Sequence, residues 1–266
     1  MTRFATFQET KIHYVEYIRA NKPTIFLIHG LGCSLDYWSF LFDSELMKDY
    51  TFYAIDLPGY GLSSKSKTYD YSIKHQATIL KKFVDFMQIK IDYLVGFSMG
   101  GPIAIALADQ LSELQKLILI EPVLTINDIG ISKTISNLPK CFIRVGQIIA
   151  KIAPKFALKI LGKGKTKPAR KIVNHAFQLT TPYALKKSSE ELITYAKTKK
   201  AYTQLKKLSM EKHYLLGENT LKSERIKPPE DLFEIVQKHI IPSASHELML
   251  DNPEAFHETL QKILKK

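Results

Sequence analysis

Short apolar runs recur along the first half of the chain, and each one leads into glycine or proline. They lie at residues 23–30 (PTIFLIHG), 50–61 (YTFYAIDLPGYG), 91–96 (IDYLVG) and 114–122 (LQKLILIEP). Continuous apolar runs of this length are typical of strands that are buried on both faces. An alternating stretch at residues 11–19 (KIHYVEYIR) precedes them and predicts an edge strand. The pattern therefore predicts one edge strand followed by four buried strands.

Helical patterns separate these strands. Residues 71–89 place five apolar side chains at helical spacing: Ile73, Ala77, Leu80, Val84 and Met87. Small apolar residues at 101–111 predict another helix directly after the third buried strand. Strands that alternate with helices favour a parallel sheet with right-handed crossovers. We therefore expect an α/β fold, with a mostly parallel, twisted sheet flanked by helices.

The alternation stops after residue 122, and residues 123–207 carry only helical patterns. Two strand-like patterns and an amphipathic helical pattern then follow, at 212–217 (KHYLLG), 239–242 (HIIP) and 253–266 (PEAFHETLQKILKK). We expect a core domain of residues 1–122 and 208–266. An all-helical, lysine-rich cap, residues 123–207, is inserted after the strand that ends near Ile120.

Net charge is concentrated in this central segment. The chain carries +12 overall, but residues 122–210 hold 18 Lys and Arg against 3 Asp and Glu, a balance of +15. The remainder holds 20 basic and 23 acidic residues, a balance of −3. This asymmetry predicts two structural parts with different roles. The basic part could dock an acidic carrier protein or an anionic lipid surface, whereas the lack of interleaved aromatic residues argues against nucleic acid.

Composition adds a few exclusions. No stretch approaches the roughly 18 continuous apolar residues of a membrane span, and residues 1–17 (MTRFATFQETKIHYVEY) lack the apolar region of a secretory signal. Two cysteines, Cys33 and Cys141, cannot build a disulfide framework, and no Cys/His cluster has metal-ligand spacing. We expect a cytoplasmic protein without a transmembrane segment, metal or cofactor, in which Cys33 is a packing residue.

The sequence Gly96-Phe97-Ser98-Met99-Gly100 matches G-x-S-x-G, with a predicted strand before it and a predicted helix after it. In this context the serine occupies a sharp, strained turn, and glycines two positions away on each side avoid a clash. The hydroxyl then stands at a helix N-terminus, where developing negative charge is favoured. The pattern predicts that Ser98 is a nucleophile.

A serine nucleophile needs a base and donors for the oxyanion. His246 follows the last predicted strand, on a loop that can reach the carboxyl edge of the sheet where Ser98 lies, and it is the predicted base. The segment 29–32 (HGLG) follows the first buried strand, and its glycines allow a close backbone approach to a ligand. The backbone N–H groups of Leu31 and Met99 are the predicted oxyanion donors, with His29 a structural hydrogen-bonding residue.

In these features the chain resembles the α/β-hydrolase superfamily, in the group with a helical cap. The resemblance covers nearly the whole core: HGLG at 29–32, DLPGYGLS at 56–63, the serine turn at 96–100, and a late histidine. It implies a triad in the order nucleophile, acid, histidine. It also implies an acid in a G-x-x-D setting after the strand that follows the cap. Here that segment reads Gly217-Glu218-Asn219-Thr220, with threonine in place of the aspartate.

Two other carboxylates could replace the missing acid. Glu121 ends the strand after the serine helix, 23 positions beyond Ser98, and a subset of haloalkane dehalogenases in the superfamily is similar in placing the acid there. Glu218 lies in the usual loop but two positions early. A triad without a functional acid is the third possibility.

As a cap, residues 123–207 would cover the site, exclude water and supply an apolar wall suited to an acyl chain or an aromatic group. The wall would come from a stripe of apolar residues: Ile148, Ile149, Ile152, Phe156 and Ile160. Pro154 is expected to end one helix and begin the next. The lysine-rich stretch 159–171 (KILGKGKTKPARK) is interpreted as a solvated loop.

The function that these residues favour is a carboxylesterase-like serine hydrolase. Ser98 argues against dehalogenase and epoxide hydrolase chemistry, because those enzymes of this fold use an aspartate nucleophile. Two alternatives stay open: a ligand-binding protein on a hydrolase fold that has lost its acid, and a C–C hydrolase or lyase that uses the same serine and histidine.

Overall fold

The computed structural model describes residues 2–129, 132–152, 167–223, 228–229 and 231–265. Within these residues, eight strands form one sheet in the order β1-β2-β4-β3-β5-β6-β7-β8. Their bounds are β1 Thr2–Phe7, β2 Thr10–Tyr17, β3 Thr24–Ile28, β4 Thr51–Ile55, β5 Tyr93–Phe97, β6 Lys116–Ile120, β7 Glu211–Gly217 and β8 Gln237–Ile241. In that order, each neighbouring pair from β4 to β8 is parallel, and the pairs β1–β2 and β2–β4 are antiparallel. The predicted fold class is confirmed.

The position of β2 in the sheet differs from its prediction as an edge strand. Residues 2–7 form β1, which pairs with β2 through a hairpin, so β2 lies between β1 and β4. β1 has only a weak sequence pattern, because Thr2, Arg3 and Phe4 are all exposed and its apolar alternation is short. At the end of a sheet a strand needs few buried side chains, so its hydrophobic pattern is weak.

The helices flank the sheet on both faces. Their bounds are α1 Leu46–Asp49, α2 Ile73–Phe86, α3 Gly100–Ala108, α4 Ser132–Asn137, α5 Lys140–Ile152, α6 Lys167–Leu179, α7 Pro182–Lys197, α8 Lys200–Lys207, α9 Glu218–Lys222, α10 Leu232–Ile235, α11 Leu248–Asp251 and α12 Pro253–Lys265. Two 3₁₀ helices span Leu35–Leu41 and Ile126–Asp128. None of the described helices has the length and apolar character needed to cross a bilayer.

The central strands are buried on both faces, as their continuous apolar sequences predict. In β5, Leu94 packs into the cluster under α2 and α3, while Val95 and Phe97 pack into the cluster under α12. Successive side chains of a strand point to opposite faces, so one apolar run serves two cores. Helix α2 begins after Ser72, whose hydroxyl accepts a hydrogen bond from the His75 amide.

Between β6 and β7, the described residues contain helices and no strand. Helix α7 contacts the core next to the 29–32 loop: the Thr181 amide donates to the Gly59 carbonyl, and Leu185 packs near Gly32. Pro154 and residues 153–166 of the lysine-rich region lie outside the described residues. Residues 167–171, by contrast, begin α6 rather than forming the expected loop. Ile148 and Ile149 are exposed, so this part of the predicted apolar stripe does not pack against the core.

Candidate active site

The turn that carries Ser98 connects β5 directly to α3. Ser98 has a φ of +52°, in the left-handed region that costs a non-glycine residue free energy. A Cβ on Gly96 would lie 2.5 Å from the Gly100 carbonyl oxygen, and a Cβ on Gly100 would lie 2.5 Å from the Ile28 carbonyl oxygen. The two glycines of G-x-S-x-G are therefore required by close backbone packing.

The backbone around Ser98 is held on both sides. Its amide donates to the Ile120 carbonyl at 2.9 Å, and its carbonyl accepts from the Gly101 amide at 3.0 Å and the Val123 amide at 3.2 Å. These bonds tie the serine turn to the end of β6. The strained conformation is thus fixed by the sheet and not by the turn alone.

His246 lies on the loop between β8 and α11 and reaches the Ser98 hydroxyl. Its Nε2 is 3.1 Å from Ser98 Oγ, although the two residues are 148 positions apart. The Phe97 ring packs against the imidazole, with ring centroids 5.1 Å apart. Asp251 holds the loop by accepting a hydrogen bond from the Ser245 amide at 2.8 Å. The imidazole is about one-third exposed.

Glu121 contacts the His246 imidazole on the side away from Ser98. Its Oε2 is 2.7 Å from His246 Nδ1, and its Oε1 accepts from the Gly217 amide at 2.8 Å. The side chain is fully buried. A carboxylate only accepts hydrogen bonds, so Nδ1 carries the proton of the neutral imidazole. The lone pair of Nε2 then faces the Ser98 hydroxyl, which is the arrangement that a general base needs.

Glu121 owes its position to an unusual backbone conformation at the end of β6. Its φ is +39°, again in the left-handed region. Its amide donates to the Leu215 carbonyl on β7 at 3.0 Å. The strand end therefore turns sharply while staying bonded to its neighbour, and the carboxylate points along the carboxyl edge of the sheet.

Glu218, the alternative acid, is directed elsewhere. It lies on α9, where Oε1 accepts from Lys222 Nζ at 2.6 Å and Oε2 accepts from the Ser243 amide at 2.9 Å. The hydrogen bond from Lys222 lowers the pKa of this carboxyl. Thr220, in the place of the expected aspartate, is buried. The structure thus brings Ser98, His246 and Glu121 together and leaves Glu218 in a surface ion pair.

The two predicted oxyanion donors flank the serine. Met99 follows Ser98 at the N-terminus of α3, and Leu31 follows Gly30, at which a Cβ would lie 3.0 Å from Ser98 Cβ. Among the described groups, neither the Leu31 nor the Met99 amide donates a hydrogen bond to the protein.

His29 shapes the Leu31 loop. Its Nε2 accepts a hydrogen bond from the Leu57 amide at 3.0 Å, so Nδ1 carries the proton and donates to the Gly30 carbonyl at 2.8 Å. Burial lowers the pKa of His29, which favours this neutral form. Cys33, in the same loop, is buried.

Two buried carboxyls near the site were not assigned a role from the sequence. Asp56 accepts from the Leu35 and Leu62 amides, each at 2.8 Å, and lies 2.6 Å from His13 Nδ1. Burial acts to raise the pKa of Asp56, but the hydrogen bonds and nearby histidines outweigh it, and the pKa is lowered. Asp56 and Leu62 both belong to the DLPGYGLS motif and were visible in the sequence, but the pairing of Asp56 with His13 on β2 and with the Leu35 amide was not.

Asp128 is the second such carboxyl. Its Oδ2 accepts from the Leu124 amide at 3.1 Å and the Thr125 amide at 2.8 Å, which closes a capping box on the 3₁₀ turn after Glu121. Burial, with a smaller contribution from the charge of Glu121, raises the pKa of Asp128 to about 6. The Thr-x-x-Asp spacing of residues 125–128 is the sequence signal that could have identified it.

Comparisons with known proteins agree with this architecture. A family model described as alpha/beta hydrolase fold matches residues 23–217. The uncharacterized hydrolase YugF from Bacillus subtilis is 34% identical over 110 residues, which are 41% of this chain and 40% of YugF. A Mycoplasma pneumoniae protein whose name assigns it to the esterases or lipases is 31% identical over 96 residues, 36% of each chain. These alignments thus cover about two-fifths of the relatives' lengths.

A solved structure extends the likeness of fold to nearly the whole chain. An esterase (EaEST) from Exiguobacterium antarcticum matches with a TM-score of 0.72 over 97% of this chain and 96% of that chain, at 20% identity. At this identity the similarity concerns the fold alone. Because the family model covers most of the sequence, the protein belongs to the α/β-hydrolase fold family.

Proposed function

We propose that the protein is a serine hydrolase that cleaves a carboxylic ester through an acyl-enzyme. The observation that carries this proposal is the continuous line of hydrogen bonds from Ser98 Oγ to His246 Nε2, at 3.1 Å, and from His246 Nδ1 to Glu121 Oε2, at 2.7 Å. This is the arrangement in which a base can take a proton from a hydroxyl while a carboxylate stabilises the resulting imidazolium.

In the first half of the reaction, Ser98 Oγ attacks the carbonyl carbon of the ester and its proton passes to His246 Nε2. The carbonyl electrons move onto oxygen, and the amides of Leu31 and Met99 donate hydrogen bonds to this oxyanion. Each such donor contributes about 3 kcal/mol to transition-state stabilisation in comparable sites. The tetrahedral species then expels the alcohol, which takes the proton from His246, and the acyl group stays on Ser98.

In the second half, water replaces the alcohol. His246 Nε2 takes a proton from the water as it attacks the acyl carbon, and the second tetrahedral species releases the acid and returns the proton to Ser98 Oγ. Glu121 keeps Nδ1 protonated throughout, so that Nε2 is the nitrogen that exchanges protons. Within this proposal Glu121 is the triad acid, and Glu218 has no part in the chemistry.

The choice of an ester rests on the nucleophile and on the relatives. Hydrolase chemistry agrees with the family, and one partial relative carries an esterase or lipase name. Displacement of a halide or opening of an epoxide in this fold uses a carboxylate, and residue 98 is a serine. We further propose that residues 123–207 act as a cap, since Leu185 of α7 packs near Gly32 in the 29–32 loop, which also carries Leu31. An apolar acyl or aromatic group would suit such a cover.

Turnover of p-nitrophenyl esters of graded acyl length tests this proposal. We expect saturable hydrolysis by the native chain at some acyl length and no enzyme-dependent rate with Ser98→Ala. Ser66→Ala, a change at a surface turn, is the matched control and should retain the native rate. No turnover at any acyl length would contradict the ester proposal and favour a ligand-binding protein, or a C–C hydrolase or lyase.

A further inference from the structure

Exposed large apolar side chains are concentrated on one part of the helical segment. Helix α5 presents Phe142 at 61% exposure, Val145 at 50%, Ile148 at 47% and Ile149 at 36%, and Leu138 just before it is 37% exposed. Their spacing places the four α5 side chains on one face of the helix. Single exposed apolar residues are common on protein surfaces, but a contiguous group indicates an interaction surface.

The opposite face of α5 is the one that packs against the protein. Ile143 and Gln147 are buried there, and the Gln147 amide donates to the Phe177 carbonyl at 2.9 Å and to the Thr180 carbonyl at 2.5 Å. These two bonds fix the rotation of α5 against the end of α6 and the start of α7. Since α7 contacts the core, the apolar face of α5 points away from the sheet.

Positive charge lies beside this apolar face. Lys140 and Arg144 are exposed on α5, and Lys133 is exposed on α4. On a helical wheel, Arg144 lies at the edge of the apolar face. Lys140 lies on the packed side of α5 instead, with its Nζ 4.5 Å from the centroid of the Tyr183 ring. The sequence from 129 to 189 contains 13 Lys and Arg and no Asp or Glu. The surface therefore combines apolar side chains that can enter a hydrocarbon region with a cation at their edge, in a segment of strongly positive net charge.

We propose that the exposed face of α5 docks on a lipid surface that contains anionic headgroups. Phe142, Val145, Ile148 and Ile149 would insert among the acyl chains, while Arg144 at their edge pairs with a lipid phosphate. A second copy of the chain is disfavoured as the occupant, because two such faces would bring like charges together. An acidic protein would satisfy the cations but would need an apolar surface of its own to cover four large side chains.

The chain already contains an attachment site for a fluorescent probe of this docking. Cys141 is exposed on α5 and Cys33 is buried, so a polarity-sensitive thiol dye can be attached selectively beside the apolar face. The full chain would be mixed with vesicles of phosphatidylcholine alone, or of phosphatidylcholine and phosphatidylglycerol at three to one. We expect a blue shift of dye emission with the mixed vesicles, and about tenfold stronger sedimentation of the unlabelled chain with them than with phosphatidylcholine.

Variants separate the apolar and electrostatic contributions. The double change Phe142→Ser with Ile149→Ser should abolish sedimentation, and Arg144→Glu should weaken it and reduce its salt dependence. Ile18→Ser, which removes an apolar side chain that is 58% exposed outside the helical segment, is the matched control and should sediment like the native chain. Circular dichroism melts of all variants verify that they are folded.

Three results would overturn the proposal: equal sedimentation of the double serine variant and the native chain, no sedimentation with mixed vesicles, or self-association of the native chain that the double serine change abolishes. None of these measurements uses ester turnover, so docking and catalysis succeed or fail independently.

Discussion

Glu121 and Gly217, 96 positions apart, are joined by a hydrogen bond from the Gly217 amide to Glu121 Oε1 at 2.8 Å. Gly217 is the first residue of the segment in which the family resemblance implies an aspartate. Its backbone therefore holds a carboxylate that comes from the neighbouring strand, β6. The other oxygen of the same carboxylate is 2.7 Å from His246. One buried side chain thus connects the ends of β6 and β7 with the imidazole.

A comparison of Glu121→Gln with Glu218→Gln should show which of the two carboxylates supports catalysis. Glutamine can keep the bond from Gly217, but it cannot stabilise an imidazolium, and its amide can favour the wrong imidazole tautomer. We expect kcat for an ester substrate to fall by about 10²–10⁴-fold with a small change in KM. Glu218→Gln is the matched control and should keep kcat within about twofold, because its partners are Lys222 and Ser243. The opposite ranking of the two variants would contradict the assignment.

Ser98→Gly should stabilise the fold relative to Ser98→Ala. Both changes remove the hydroxyl, but only glycine adopts a φ of +52° without strain. We expect the glycine variant to have a free energy of unfolding about 1 kcal/mol larger than that of the alanine variant. Urea denaturation of the two variants measures this difference. Equal stabilities would show that the left-handed conformation at residue 98 is not maintained in solution.

Gly101→Ala and Gly146→Ala should change stability in opposite directions. A Cβ on Gly101 would lie 2.4 Å from the Pro122 Cβ, next to Glu121, whereas a Cβ on Gly146 in α5 would meet no described atom within 4 Å. We expect Gly101→Ala to destabilise the protein by about 1–3 kcal/mol and to lower kcat by moving Glu121. Gly146→Ala should stabilise it by about 0.5–1 kcal/mol through helix propensity. Thermal melts and ester turnover of both variants provide the comparison.

Asp128 should make stability depend on pH between about 4 and 6. Its pKa is raised to about 6 in the folded protein from an ordinary 3.8, so the folded state holds a proton that the unfolded state has lost in this range. The free energy of unfolding therefore falls as the pH rises through this window. We expect the native chain to lose on the order of 2–3 kcal/mol there relative to Asp128→Asn. Parallel curves of unfolding free energy against pH for the two proteins would exclude this contribution.

Much of the fold could be predicted from the sequence, because strands buried on both faces leave continuous apolar runs such as 91–96 and 114–122. The helix at 73–86 followed from its spacing. β1 could not be predicted, since it gains its hydrogen bonds from the hairpin with β2 and buries few side chains. The orientation of α5 could not be predicted either. Periodicity defines an apolar face but not whether that face meets the core or the solvent.

The candidate site was predictable to different degrees. Ser98 and His246 follow from local patterns at strand ends, and the structure places them in hydrogen-bonding contact. The acid stayed open because Glu121 and Glu218 follow adjacent strands. Glu121 lies where a subset of the superfamily places its acid, and Glu218 lies in the usual loop but two positions early. What distinguishes them is the backbone turn at Glu121, with a φ of +39°, and the amide of Gly217. Neither the backbone turn nor this hydrogen bond can be recognised from the residue pattern of a single sequence.

Covalent labelling with a fluorophosphonate, followed by peptide mass spectrometry, tests directly whether Ser98 is an activated nucleophile. We expect a single phosphonyl adduct on Ser98, formed rapidly in the native chain, much more slowly with His246→Gln or Glu121→Gln, and at the native rate with Glu218→Gln. A native chain that leaves Ser98 unmodified under conditions that label a known serine esterase would contradict it.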